Sequence, residues 1–398
     1  MTNILKKITL LSAAAASMLA CSLPVSAFDY EDGYFNDYYS YGGENGFFYE
    51  SSPGTGFIVS DFGCMFGYDN TIIIDEYFGD GGNVVIPEEI YGVPVTEIGD
   101  YAFCAEYKIT SVTVPEGVTK IGDEAFNNCY NMKAITLPES LAEIGESAFG
   151  GCSALESIEI SGKVDQINDT TFYDCSSLKY VSLPDTVTYI GDYAFEHCTS
   201  LEEIKMPEKL SGLGGYAFSY CSSLKSVTVP EALTYIEGHS FAGCESLTDI
   251  TLPNTVSRIG SYAFDNCKNL KAINTPSDLN YIDDYAFSGC KSLESIELPE
   301  KIHYIGYNAF RGCDALTIHG KPNTTAYHYA KRNSIPFKID AEYTESLTAL
   351  IITIAFVWAA VAAVVIIFCV KAAKKAKKEE QESGLIKESS VDRDPSAE

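Results

Sequence analysis

The sequence predicts a β-rich solenoid, a stack of right-handed coils with a cap at each end, followed by one transmembrane α-helix. Three observations carry this. Phenylalanine, usually after alanine, returns at Phe103, Phe126, Phe149, Phe172, Phe195, Phe218, Phe241, Phe264, Phe287 and Phe310, always 23 residues apart. An apolar frame with a period-two, β-branched piece returns around each of them, as in Leu178, Val181, Leu183, Pro184, Val187, Ile190, Gly191, Ala194, Phe195 and Cys198. Near the C-terminus, Leu347 to Val370 carries no charge.

In chain order, residues 1–27 read as a signal peptide: Lys6 and Lys7, an apolar run from Ile8 to Ala20, then small residues at Val25-Ser26-Ala27 suited to cleavage. Cys21 after Leu19-Ala20 offers a lipoprotein-like alternative. Residues 28–70 are expected to form a flexible N-terminal segment rich in Tyr, Gly and acidic residues, and Phe28 to Pro53 has no aliphatic side chain. Thr71–Ile74, Gly79–Gly82 and Val84–Ile86 read as a cap hairpin within residues 71–94.

Ten 23-residue units fill residues 95–320. Their consensus, L-x-x-I-x-L-P-x-x-V-x-x-I-G-x-x-A-F-x-x-C, explains itself physically. I-x-L is a strand with alternate residues inward, and the proline ends it because it has no N–H to donate. V-x-x-I is a second extended piece, Gly turns the chain, and A-F-x-x-C closes the coil. One coil cannot bury its own Leu, Ile and Phe, whereas a stack shares one core. Ten strands at ~4.8 Å span about 45 Å.

This frame resembles the leucine-rich repeat, specifically the 23-residue BspA-like, treponemal class, over roughly Ile72 to Ile339. The resemblance implies surface exposure and binding, with adhesion to host proteins or other microbes known among such proteins. Departures from the frame are few: Glu106 stands where Cys belongs, Cys104 is out of register, Asn168 and Glu237 replace the turn Gly, and Thr275 replaces an inward Leu. Residues 321–346 read as a C-terminal cap and juxtamembrane segment, with a helix at Ala326–Arg332 and a strand at Ile335–Phe337. Residues 347–370 exceed the ~20 apolar residues that span a bilayer. Lys371, Lys374, Lys375, Lys377 and Lys378 follow, so the tail, 371–398, is expected in the cytoplasm and the rest outside at the plasma membrane. Glu379 to Glu398 reads as disordered.

Between signal and tail stand 18 basic and 48 acidic residues, a net charge of −30. Such a field repels nucleic acid and keeps the chain soluble. Cys129, Cys152, Cys175, Cys198, Cys221, Cys244, Cys267, Cys290 and Cys313 fall 23 apart without metal-ligand spacing, and are expected as a buried thiol ladder. Cys64 and Cys104, out of register, are candidates for a cap disulfide. His197, His239, His303, His319 and His328 are spread over different repeats or cap elements with no nucleophile beside them, so no catalysis, cofactor or metal is expected.

Binding surface offers more. Tyrosine recurs before the inward Ile at Tyr189, Tyr235, Tyr281 and Tyr304, and three residues after it at Tyr101, Tyr193, Tyr216, Tyr262 and Tyr285. Stacked into stripes, these rings are candidate contacts for an extracellular protein or glycan, or simply cross-strand pairs that hold the ladder. Ser182, Lys205, Thr228, Thr251, Asn274 and Glu297 are the outward residues of the first strand and form a second candidate face. Self-association as an envelope scaffold is the alternative use of the array.

Overall fold

The structure, a computed structural model, describes residues 49–51, 54–67 and 70–388; the signal peptide and the end of the tail lie outside the described residues. The chain divides into a unit ending at Phe337 and one beginning at Lys338.

The first unit is a β-solenoid of about 12 turns. Each coil gives one short strand to each of two parallel ladders, and partners lie one repeat apart: Ile158 opposite Val181, Val227 opposite Ile250, Ile282 opposite Ile305. In the last coil the register shortens by one residue, with Ile296 opposite Ile318. The ten phenylalanines form one buried column, neighbouring ring centroids 4.8–5.6 Å apart. Stacked pairs of this kind contribute about 0.5–1.5 kcal/mol each beyond their burial.

A tyrosine closes each end of the column. Tyr77 stacks on Phe103 at 5.1 Å, and Tyr329 meets Phe310 edge-on at 5.9 Å. In earlier coils the Phe N–H donates to an alanine or equivalent carbonyl of the next coil, as Phe287 does to Ala309 at 2.8 Å. Phe310 has no next coil, and its N–H donates to the Tyr329 hydroxyl instead, at 3.3 Å. Tyr329 is held there by helix α1 (Thr325–Arg332), capped by Thr324 Oγ1 accepting the Tyr327 N–H and buried through Ala326, Tyr329 and Ala330. The expected last strand follows two residues later than predicted, at Phe337–Ile339.

The N-terminal end differs from the sequence expectation. Within the stretch expected to be flexible, β1 (Tyr49–Ser51), β2 (Gly54–Val59) and β3 (Phe62–Phe66) pair antiparallel, and β3 pairs with β4 (Ile72–Tyr77). The expected 71–94 hairpin is not one: β4 joins the second ladder beside β7 (Val93–Ile98), while β5 (Gly82–Val85) joins the first beside Ile109–Thr113. The residues between them therefore make an ordinary coil. The hairpin in this region is β6 (Glu89–Ile90) with β7, turning at Tyr91 and Gly92, both at positive φ.

The turn glycine knits successive coils. Its N–H donates to the preceding inward carbonyl, as Gly191 does to Ile167 and Gly260 to Ile236, both at 2.8 Å. The second ladder is interrupted at the two coils whose turn residue is Asn168 or Glu237. At Asn168 the side chain crosses the gap, Nδ2 donating to Ile144 O at 2.6 Å. A side chain does not always open the ladder: Asp283 occupies the same position and keeps its N–H bond to Ile259 O at 2.9 Å.

Thr275, standing where other coils place an aliphatic residue, has a buried hydroxyl without a hydrogen-bond partner among the described residues. An unpaired buried hydroxyl costs about 1–3 kcal/mol. Thr275→Val keeps the shape and removes the hydroxyl, so we predict a gain of about 1–2 kcal/mol in chemical denaturation; an unchanged midpoint would refute the reading.

In the second unit, helix α2 (Ala341–Glu388) runs for 48 residues. It is the one described helix long and apolar enough to cross a membrane, its 18-residue window reaching a mean hydropathy of 3.0. The helix continues to Glu388, into the stretch expected to be disordered. Lys, Ala and Glu there are strong helix formers, and Lys375–Glu379 and Lys378–Glu382 pair at 3.7 Å, four residues apart.

Candidate functional site

The expected thiol ladder is present, and its chemistry is more specific than packing. Each Sγ–H from Cys129 to Cys313 donates to the carbonyl of the phenylalanine 26 residues earlier, at 3.0–3.2 Å. All nine thiols are free and buried. Burial pushes Cys129 up to about 12, and Cys152, Cys175, Cys198, Cys221 and Cys267 well above the ordinary thiol range; Cys290 is raised likewise, first by its contact with the Cys313 thiol and then by burial. These are inert structural groups. Cys64 and Cys104 are also free rather than bridged. Cys64 belongs to the core, its Sγ aimed at Phe62 O at 3.6 Å, and burial lifts it to about 12.

The turn tyrosines come together as one column of rings. Tyr193 stacks on Tyr216 at 4.7 Å, Tyr216 on His239 at 4.2 Å, His239 on Tyr262 at 4.7 Å and Tyr262 on Tyr285 at 4.8 Å. Tyr307 ends it edge-on against Tyr285 at 5.7 Å. Tyr101 lies in its own exposed coil, away from the column. All five column residues have φ of 58–59°. The left-handed region costs a side-chain-bearing residue on the order of 1 kcal/mol, which ring stacking offsets. Half-burial between two rings lowers the His239 pKa.

His239 is absent from the sequence expectation because a row defined by tyrosine passes over a histidine. Its register was the available signal: it stands 23 residues after Tyr216 and 23 before Tyr262. His197 stacks likewise on Tyr220, at 4.8 Å.

The strand tyrosines make no continuous stripe. Gly212 stands opposite Tyr189, and Arg258 stands between Tyr235 and Tyr281. Arg258 covers the Tyr235 ring at 5.5 Å and pairs with buried Asp283 at 2.7 Å. Tyr281 and Tyr304 are paired through their backbones and exposed, and the Tyr304 hydroxyl donates to Asp284 Oδ1 at 3.1 Å.

On the first-strand face Ser182, Lys205, Thr228, Thr251 and Glu297 point to solvent. Asn274 is already engaged: its amide accepts the Leu252 N–H at 2.8 Å and donates to Leu252 O at 2.6 Å. It therefore mends the ladder beside Thr275.

Aspartate after the turn position is a second periodic signal. Asp100, Asp123, Asp169, Asp192 and Asp284 accept the N–H of the residue 23 positions on, at 2.7–2.9 Å. Part of the acidic charge is thus a device for stapling coils. Among the described residues no group of three or more His, Cys, Asp or Glu is placed to hold a metal ion.

The solved structures similar to the chain include a leucine rich cell surface protein from Faecalibacterium prausnitzii, 27% identical over 72% of this chain and 95% of that one, with a TM-score of 0.42. A leucine rich repeat protein of T. pallidum is 26% identical over 62% of this chain and 95% of its own, with a TM-score of 0.40. The pneumococcal vaccine antigen PcpA is 19% identical over 76% of this chain and 95% of its own, with a TM-score of 0.40. No curated protein matches. The family model of the BspA type leucine rich repeat region matches residues 96–225 and 211–334, and the chain belongs to that family.

Proposed function

We propose that the protein is a surface receptor or adhesin, anchored in the plasma membrane by α2 with the solenoid outside, and that its aromatic face binds an extracellular protein or glycan. The observation that carries this is the register of exposed and half-exposed rings, Tyr189, Tyr193, Tyr216, Tyr235, Tyr262, Tyr281, Tyr285 and Tyr304, on a frame whose interior hardly varies. Tyrosine gives contact area at low entropic cost and keeps a polar handle. The stacked column offers ring edges and hydroxyls; of the strand tyrosines, Tyr189, Tyr281 and Tyr304 are exposed while Arg258 covers Tyr235. The strand face from Ser182 to Glu297 is the second candidate surface, and an envelope scaffold that self-associates is the competing reading.

The test uses the full chain in lipid nanodiscs on arrays of matrix proteins, mucins and glycans. Changing Tyr189, Tyr193, Tyr216, Tyr235, Tyr262 and Tyr281 to Ser is expected to weaken saturable binding at least about tenfold, with the thermal transition retained. Binding that survives moves the site to the strand face. Self-association without any bound array member would leave the scaffold.

A further inference from the structure

Between the two tyrosine rows runs the row of staple aspartates, and it changes character where the rows are richest in rings. Asp192 and Asp284 mark its ends; between them stand Gly215, Gly238 and Ser261. The backbone does not require glycine at 215. Its φ is not positive, and a Cβ there would sit in ordinary contact, 3.4 Å from Gly238 O. At the adjacent Gly214 a Cβ would sit 2.5 Å from Asp192 N, so there a side chain forces the neighbouring backbone to shift. At Gly238 a Cβ would come within 3.1 Å of Ser261 O, so glycine there also relieves packing; the missing side chains at 215 and 238 lower the row into a trough and forgo two staples.

Rings line the trough fully on one side, and on the other the strand row supplies them only in part, with Gly212 and Arg258 between. The column Tyr193, Tyr216, His239, Tyr262 and Tyr285 forms one side. On the other, the Tyr189 ring lies over Gly212, with Cδ2 2.6 Å from where a Cβ would be. Further along, the Tyr304 hydroxyl on Asp284 ties the strand row to the floor row. The second ladder is also interrupted here, between Gly212–Leu213 and Tyr235–Ile236. Glu237, at that interruption, is half-buried beside Asp192 and Arg258 and takes the Gly238 N–H; burial raises its pKa. The Ser261 N–H receives no carboxylate from the coil before, because Gly238 has none to give.

The geometry points to this trough as the binding site of a neutral, hydroxyl-rich glycan chain, with Tyr189, Tyr281 and Tyr304 against its C–H faces and Asp192, Glu237 and Ser261 bonding its hydroxyls. This deepens the recognition reading and rests on it. Open aromatic faces beside carboxylates and backbone donors suit sugar rings, which present both kinds of surface. A uronate or sulfate chain would meet the carboxylates of Asp192, Glu237 and Asp284. A peptide strand finds no free edge at Tyr281, whose strand is paired on both sides. From Tyr189 to Tyr304 the trough crosses five coils, about 24 Å, the length of an oligosaccharide.

The decisive variant is Gly215→Asp, which installs the residue other coils carry at this position. The full chain in nanodiscs is titrated with cello-, manno-, xylo- and galacto-hexaose, with polygalacturonate as the anionic control. Saturable binding of at least one neutral hexaose is expected, at least about tenfold weaker in Gly215→Asp and in Tyr281→Ser/Tyr304→Ser, while Gly215→Asp melts no lower than the parent. Equal binding by Gly215→Asp, preference for polygalacturonate, or no binding of any neutral hexaose overturns the proposal. If array proteins bind instead and the six-tyrosine variant loses them, surface recognition stands and the glycan trough falls.

Discussion

Raising the pH from about 8 to about 10.5 is expected to unfold the solenoid well before its lysines and surface tyrosines titrate fully. The buried thiols from Cys129 to Cys267 have pKa values lifted by desolvation, Cys129 to about 12 and most of the others well beyond the ordinary range. In the unfolded chain the same thiols ionise in the ordinary thiol range. Above that range the unfolded state binds fewer protons than the folded one, so stability falls as pH rises, and it is fully present below the unfolded pKa. Each such thiol contributes a loss of about 1.4 kcal/mol per pH unit. Several together exceed the about 5–15 kcal/mol that holds a typical domain.

The measurement is a series of thermal melts across that range under reducing conditions. Cys198→Ala/Cys221→Ala/Cys244→Ala should melt lower at neutral pH, because three Sγ–H to carbonyl bonds and their packing are lost, yet decline less steeply with pH. A parental melting temperature flat from about 8 to about 10 would show that the ladder is not protonated as described.

What the sequence discloses here follows from periodicity. A 23-residue interval fixes which residue stacks on which, so the Phe column, the thiol ladder and the turn tyrosines follow from the spacing alone. Spacing does not say what a stacked row does. Tyr193 to Tyr285 and Tyr189 to Tyr304 look alike as intervals, but the first row is continuous because His239 fills it, and the second is cut by Gly212 and Arg258. The N-terminal end was misread because it lies outside the repeat. Ile72–Ile74 and Val84–Val85 with glycines between them match a hairpin, and only their parallel partners in the next coil make them a turn of the solenoid. The aspartate staples escaped because a carboxylate beside a glycine reads as solvated surface unless the N–H one coil later is also in view.

The adjacent glycines 214 and 215 give a second, opposite pair of expectations. Gly214→Ala places a methyl carbon 2.5 Å from the Asp192 backbone nitrogen, too close for contact, in backbone flanked by coils on both sides. The neighbouring backbone must shift to admit it: the ladder is interrupted at Asn168 and Glu237, whereas Asp283 keeps its N–H bond to Ile259 O at 2.9 Å, so the Gly214 N–H to Ile190 O bond of 2.8 Å is strained. A loss of about 3 kcal/mol is expected, in the range of overpacking plus a strained buried hydrogen bond. Gly215→Ala meets only Gly238 O at 3.4 Å and restricts the unfolded chain, so it should stabilise by about 0.4–1 kcal/mol. Urea denaturation of the two variants side by side decides it. Equal losses would mean that glycine at 215 is required by the fold, which would remove the reason for reading the cleared row as a site. A loss at 214 with a gain at 215 would mean that the solenoid forgoes stability at 215, where its rings are densest, and so assigns that row to a bound partner rather than to the fold.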